Sequence, residues 1–253
     1  MNLIQIVKEK NRREQFMPSA FSIIFNPYYF NRRAIHKGIM KHAKNLKGDL
    51  LDFGCGTKPY KTLFSVNKYI GIDLYENEGH DLPTNEIDVF YDGDKLPFLN
   101  NQFDSVYSSE VFEHVFNLSE ILLDINRVHK REGLLLITMP FVWQEHEIPN
   151  DFGRYTSYGI KSIFEKCNYE IIEHSKSPGY FLSVIQLLVA YIYNAILPKS
   201  NVLKFLLAPI TIFPINSFGL IINFFLPKRG DLYINHVILA KNVKPFSKKN
   251  KRH

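Results

Sequence analysis

The stretch MPFVWQEHEIPNDFGRYT, Met139 to Thr156, crowds Glu145, His146, Asp151, Arg154 and Tyr155 into one polar run. An ordinary imidazole changes charge near neutral pH, so His146 is the first candidate for a general base, with Glu145 and Asp151 as acidic companions. Its competing role is that of a surface or capping histidine. Arg154 suits an anionic substrate or an ion pair with Asp151, and the internal pair is preferred. Trp143, the only tryptophan, suits a substrate platform or packing within the loop. The spacing of Glu145, His146 and Asp151 matches no standard metal site, so no metal is expected.

A second constellation lies upstream. In LLDFGCGTKPY, Leu50 to Tyr60, a buried-looking apolar run meets Asp52 and then Gly54, Cys55 and Gly56. Glycine lets the backbone turn sharply and approach a ligand closely. A nicotinamide dinucleotide fingerprint would need a third glycine where Pro59 stands. Asp73 and Leu74 end YIGIDL about twenty residues on, where a carboxylate can accept hydrogen bonds from ribose hydroxyls. Asp92 and Gly93 follow IDVFY and precede KLPF, a place suited to a nucleobase edge. Glu110, Glu113 and His114 follow FDSVYS within SSEVFEHV. The two glutamates also fit the start of a following helix, where acids are favoured.

These residues need a frame that returns them to one edge. Strands are predicted at Asp49 to Phe53, Tyr69 to Leu74, Ile87 to Tyr91, Phe103 to Ser108, Leu134 to Met139, Tyr169 to Glu173 and Leu232 to Ala240. Helices are predicted at Phe30 to Leu46, along the face Leu118, Ile121, Leu122, Ile125 and Val128 up to a break at Gly133, and over Thr156 to Cys167, which opens on a capping residue. This alternation implies an α/β, Rossmann-like, doubly wound, mostly parallel seven-stranded sheet with helices on both faces. Ligands bind such sheets at the carboxyl ends of the strands.

The set LLDFGCGTKPY, YIGIDL, YDGDKLPF, FDSVYSSEVFEHV and INRVHKREGLLLITMP resembles the class I S-adenosylmethionine-dependent methyltransferases, in particular the broad group with LPF before the fourth strand and EH after it. The resemblance covers residues 50–173, with 232–242 as the last strand. It implies S-adenosyl-L-methionine as cofactor. Gly54 and Gly56 would line its methionine portion, with Cys55 a small residue within that loop. Asp73 would hold the ribose, Asp92 the adenine amino group, and Asp52 would lie near the ammonium. His114 would pack near the methyl donor. Substrate residues are expected in the 139–156 loop, with Trp143, Arg154 and Tyr155 as candidates.

Between the last two predicted strands lies a very apolar insertion. YFLSVIQLLVAYIYNAIL approaches the length of a bilayer span, and the following apolar run is long enough but interrupted by Lys204, Pro209 and Pro214. If those strands pair, both ends of the insertion lie on one side, so helices resting on or dipping into the cytoplasmic leaflet are expected. A lid or a dimer surface in a soluble protein is the alternative. FSIIFNPYYFNRR near the start is expected to join the same surface. The organisation is then 1–46 helical and interfacial, 47–179 cofactor-binding core, 180–230 insertion, 231–243 last strand and 244–253 basic tail.

Composition bounds the rest. The chain has 253 residues, 45% of them hydrophobic, and a net charge of +6. This describes a globular protein. Much of the basic excess lies in terminal clusters, read as solvated tails. Two cysteines, Cys55 and Cys167, make neither a disulfide framework nor a zinc site. No secretory signal pattern is read at the start. Nucleic acid is not expected as a partner: the segment after the fourth strand is SSEVFEHV and not an Asn-Pro-Pro-aromatic type. The expected activity is methylation of an oxygen on a lipid-linked or cell-surface glycan precursor at the inner face of the membrane. An isoprenoid quinone or other lipid is the second acceptor class, and a non-catalytic scaffold the third reading.

Overall fold

The computed structural model describes residues 12–74 and 86–245. Most of the expected basic tails lies outside the described residues. The two ends that are described are anchored. Arg12 pairs with Glu86 and donates to the Thr57 carbonyl. Lys244 donates to the Asn126 carbonyl at 2.7 Å. These two residues correct the solvated-tail expectation, because each caps backbone carbonyls of the core.

Seven strands form one sheet: β1 (Asp49–Phe53), β2 (Lys68–Leu74), β3 (Val89–Tyr91), β4 (Phe103–Ser109), β5 (His129–Pro140), β6 (Tyr169–Ser177) and β7 (Asn235–Asn242). Their order is β3-β2-β1-β4-β5-β7-β6. All pairs are parallel except those made by β7, which runs antiparallel to β5 and β6. The order reverses at β1 and β4, whose carboxyl ends therefore frame the ligand crevice.

Helix α1 (Tyr29–Ala43) covers one face. Its Ile35 and Ile39 pack on Leu50, Leu136 and Val237. Helices α2 (Leu118–Val128) and α3 (Ser157–Lys166) cover the other, where Leu122, Ile125 and Phe164 meet Leu51, Val106 and Ile137. Burying each such side chain stabilises the fold by about 1.5–3 kcal/mol. Thr156 caps α3 by accepting from the Gly159 amide at 3.1 Å.

Three local expectations change. α2 ends at Val128, not at Gly133, and β5 starts at His129. Phe103 pairs with His129 across a bulge, so the polar HKRE run is strand despite its composition. The glycine loop leads into a single 3-10 turn, Lys61–Leu63, rather than a crossover helix. Pro59 and the left-handed Lys58 (φ 49°) break helical continuity there. The apolar insertion forms α4 (Tyr180–Tyr191), a π-helical turn (Ile192–Ile196) and α5 (Asn201–Phe225). α5 continues through Pro209 and Pro214, which were expected to interrupt it. Packing offsets the cost of the prolines: Ala208 and Ile212 pack with Ile185, Val189, Tyr29 and Phe30, and Asn216 donates to the Ile23 carbonyl. As expected, β6 and β7 pair, so both ends of the insertion return to one sheet edge.

Candidate active site

Gly54 and Gly56 follow β1 with φ of 68° and 47°. A Cβ at Gly54 would lie 2.4 Å from Val111 Cγ2, whereas the space beside Gly56 is open. Glycine is therefore required at the first position by conformation and contact, and at the second by conformation. The Gly56 amide donates to Asp73 Oδ2 at 2.6 Å, and Asp73 Oδ1 accepts from the Leu74 amide. This ties the loop to the end of β2. A carboxylate oxygen accepts more than one hydrogen bond, so the position fits a ribose hydroxyl as well. Asp92 is exposed and, with Phe90, Tyr91, Lys95 and Pro97, lines a cleft of about 440 Å³ beyond β3. Gly93 lies beside Leu74 with φ 96°. Open space at Gly56, a carboxylate at the β2 end and a cleft at the β3 end match the three parts of an adenosine-bearing cofactor.

The side chains of Asp52 and Cys55 are buried beneath this loop. Asp52 is buried and accepts from Tyr69 Oη at 2.5 Å. Burial pushes its carboxyl up to about 7, against the Tyr69 hydrogen bond that favours the charge. Cys55 is buried against Gly71, and burial raises its thiol well above the usual range. Its backbone, not its sulfur, belongs to the loop. The sequence did not single out Tyr69, nor Lys58, which pairs with Asp88 at 2.6 Å under the same loop.

The carboxyl end of β4 carries the acidic group. Glu110 has φ 56°, and its side chain accepts from Thr138 Oγ1 at 2.8 Å. Burial raises its carboxyl, with Arg32 and Arg154 pulling the other way. Glu113 is wholly buried in the 3-10 turn Phe112–His114, and neither carboxylate oxygen has a hydrogen-bond partner. Burial first, and then Glu110, push its pKa far up.

The 141–156 loop closes over this turn. The Phe152 and Gly153 amides both donate to the Glu113 carbonyl. The Asn150 carbonyl accepts from His114 Nδ1 at 2.6 Å. His114 and His146 meet edge to face with ring centroids 4.8 Å apart. His146 Nδ1 lies 3.2 Å from Asp151 Oδ2 and 3.4 Å from Arg154 Nη2. Burial and the neighbouring His114 lower its pKa, so it is neutral at pH 7. Arg154 grips Asp151 through both nitrogens, at 2.5 and 2.7 Å. Burial opposes the charge on Asp151, yet the hydrogen bonds from Arg154 and the His146 amide hold its pKa at about 2. Asp151 is thus an orienting acceptor and no proton acceptor near neutrality.

The remaining loop residues divide. Glu145 is exposed, and the structure brings it to none of these groups. Trp143 packs edge-on to Tyr28 at 5.8 Å, as a loop-packing residue would. Tyr155 joins the core, and its carbonyl faces His236 Nε2 at 2.9 Å. Glu113 is the group whose importance the sequence hid: an acid after β4 reads as a helix starter, and only the fold shows it buried beneath two imidazoles.

Residues 51–137 match the family model described as a methyltransferase domain. The fold agrees. An S-adenosylmethionine-dependent methyltransferase from Mesorhizobium loti superposes with a TM-score of 0.51 at 13% identity, over 84% of this chain and 99% of that one. Phosphoethanolamine N-methyltransferase 2 from Haemonchus contortus, in complex with S-adenosyl-L-methionine, gives 0.52 at 16%, over 93% of this chain and 60% of that one. The cyclase SpnF gives 0.50 at 14%, over 81% and 79%, so the fold alone names no reaction. No curated protein matches the sequence. Residues 51–137 thus match a methyltransferase domain, within a fold shared with S-adenosylmethionine-dependent methyltransferases.

Proposed function

We propose that this methyltransferase methylates an oxygen of a lipid-linked or cell-surface glycan precursor at the inner face of a membrane. The observation that carries the location is α5. It is the one helix among the described residues long and apolar enough to cross a bilayer, and it is mostly exposed. Phe205, Ile210, Ile221, Phe224 and Phe225 are each more than half exposed. Phe25, just after the N-terminal 3-10 turn Ala20–Ile23, stacks on Phe205 at 5.5 Å, extending the apolar surface. A surface of this kind on a soluble fold suits a helix lying in the lipid interface.

The same unit touches the acceptor loop. Asn194, in the π-helical turn, donates to Gln144 Oε1 and accepts from Tyr28 Oη. An acceptor anchored in the bilayer would therefore emerge beside the loop that carries His146. Gly54, Gly56, Asp73 and Asp92 would hold S-adenosylmethionine, which supplies an electrophilic methyl group on sulfur. Transfer to a hydroxyl forms a carbon–oxygen bond, breaks a carbon–sulfur bond and releases one proton. In this reading His146, whose backbone amide donates to Asp151, takes that proton. An isoprenoid quinone or other lipid would use the same apolar surface.

The test supplies the purified protein with methyl-labelled S-adenosylmethionine and separate pools of lipid-linked sugars, quinones and water-soluble metabolites, with and without vesicles. Label entering the lipid-linked sugar pool, faster with vesicles, supports the reading. Label confined to soluble metabolites overturns it, and label in quinones selects the second acceptor.

A further inference from the structure

Glu113, His114 and His146 bring three lone-pair-bearing groups to face one another. The ligand atoms all lie within 4.8 Å of one another. His114 Nε2 is 3.7 Å and His146 Nε2 3.8 Å from Glu113 Oε1, and His114 Nε2 is 3.6 Å from Glu147 Oε2. Each gap is too long for a hydrogen bond. Donors held at ~2.1 Å around a tetrahedral metal lie ~3.4 Å apart, a little less than these gaps. We propose that Glu113, His114 and His146 bind a divalent transition-metal cation at the acceptor end of the site, with Glu147 as the peripheral fourth ligand.

Two independent observations point to a ligand. The first is the Glu113 carboxylate: wholly buried, with both oxygens lacking a hydrogen-bond partner. Leaving such a group unsatisfied costs several kcal/mol, and a cation removes that cost. The second is the support behind His114. Its Nδ1 donates to the Asn150 carbonyl at 2.6 Å, which fixes the tautomer whose Nε2 lone pair is free to ligate, as metal-binding histidines are held. His146 Nδ1 lies between Asp151 Oδ2 and Arg154 Nη2. The histidine side chains are 15% and 29% exposed, so a cation has an entry path. Two imidazoles and a carboxylate suit zinc or another first-row divalent ion better than magnesium or calcium.

The ligand set was hard to foresee, because its members come from two separate segments. His114 and Glu113 sit in the turn after β4, and His146 arrives from the loop after β5. The inference deepens the proposed reaction and rests on that reading for the placing of the acceptor. A bound cation would hold His146 as a ligand in place of its role as proton acceptor, and by lowering the proton affinity of the nearby acceptor oxygen it would let the hydroxyl proton pass to solvent.

The experiment takes the full-length protein, strips it with chelator and titrates it with Zn²⁺ by calorimetry and with Co²⁺ by visible absorption. S-adenosylmethionine binding is measured on the same samples. The expected result is one Zn²⁺ per chain and an intense tetrahedral Co²⁺ spectrum. Both should weaken at least 100-fold in Glu113→Gln and in His146→Ala and stay unchanged in His36→Ala, which removes an imidazole on α1. Intact cofactor binding by the variants shows that they are folded, and should His146→Ala fail that check, Glu147→Gln, with about tenfold weaker metal binding expected, takes its place. Absence of saturable metal binding in a protein that binds S-adenosylmethionine overturns the metal site alone. Equal binding in wild type and variants overturns it too. Metal binding without cofactor binding instead contradicts the methyltransferase reading and leaves the metal site standing.

Discussion

His114 and His146 lie edge to face, 4.8 Å between ring centroids, above the buried carboxylate of Glu113. One ring belongs to the turn after β4, the other to the loop after β5, and the amides of Phe152 and Gly153 on the Glu113 carbonyl hold the two segments together. Under the proposed function this corner, rather than the glycine loop, is the chemical end of the site.

Replacing His146 with alanine is expected to lower kcat by 10²- to 10⁴-fold, the usual scale for losing assistance to proton transfer, whether the ring takes the proton or holds the cation. Asp151→Asn should lower it by a smaller factor, since the ring stays but its orienting carboxylate is lost. The affinity for S-adenosylmethionine should stay within twofold in both. Steady-state kinetics with parallel calorimetry measure this, and a loss of cofactor affinity equal to the loss of kcat would place His146 elsewhere.

Asp52 makes stability fall with pH. Its folded pKa, about 7, lies above the ordinary value of 3.8, so the folded chain holds a proton there that the unfolded chain has released. Protons bound preferentially by the folded state make unfolding free energy decrease as pH rises. The contribution is fully present below pH 4 and is lost between pH 4 and 7, up to about 4 kcal/mol in all. Asp52→Asn should flatten urea-melt stability across that window. An unchanged pH slope in the variant would assign the dependence to other groups.

Gly54→Ala places a side chain in a left-handed conformation and 2.4 Å from Val111. The cost should be about 1–3 kcal/mol of stability, together with a large loss of S-adenosylmethionine affinity. Gly230→Ala, where the space is open, is the matched control and should change neither. Thermal melts with and without cofactor distinguish the two.

The exposed face of α5 should bind phospholipid vesicles in a flotation assay. Replacing Phe205, Ile210 and Phe224 together by serine should reduce binding at least 100-fold, since each apolar side chain inserted is worth about 1.5–3 kcal/mol. Cofactor binding should be unaffected. Wild-type protein that stays with the soluble fraction would remove the membrane from the account.

Much of the fold could be read before the structure, for identifiable reasons. β1 ends where Phe53 meets Gly54, because apolar residues buried on both faces stop at a residue built for a turn. α3 begins after Thr156, because its hydroxyl caps a free amide. β5 was read too short, because HKRE is polar and only its pairing with β4 makes it strand. α5 was read as broken, because the cost of proline is local while the packing that offsets it comes from α1 and the N-terminal turn. At the site, Gly54, Gly56 and Asp73 were legible because backbone geometry at a strand end demands those residue types. Glu113 was not, because its buried state depends on a loop some thirty residues away in sequence. Nor was Asp52 as a buried, Tyr69-bound acid, since Tyr69 comes from the adjacent strand.

The measurement that tests the account most directly is calorimetric titration of the purified protein with S-adenosylmethionine and its demethylated product, beside Asp73→Ala. Micromolar binding of both, lost by at least tenfold in the variant, is the predicted result. Folded wild-type protein that binds neither would contradict it.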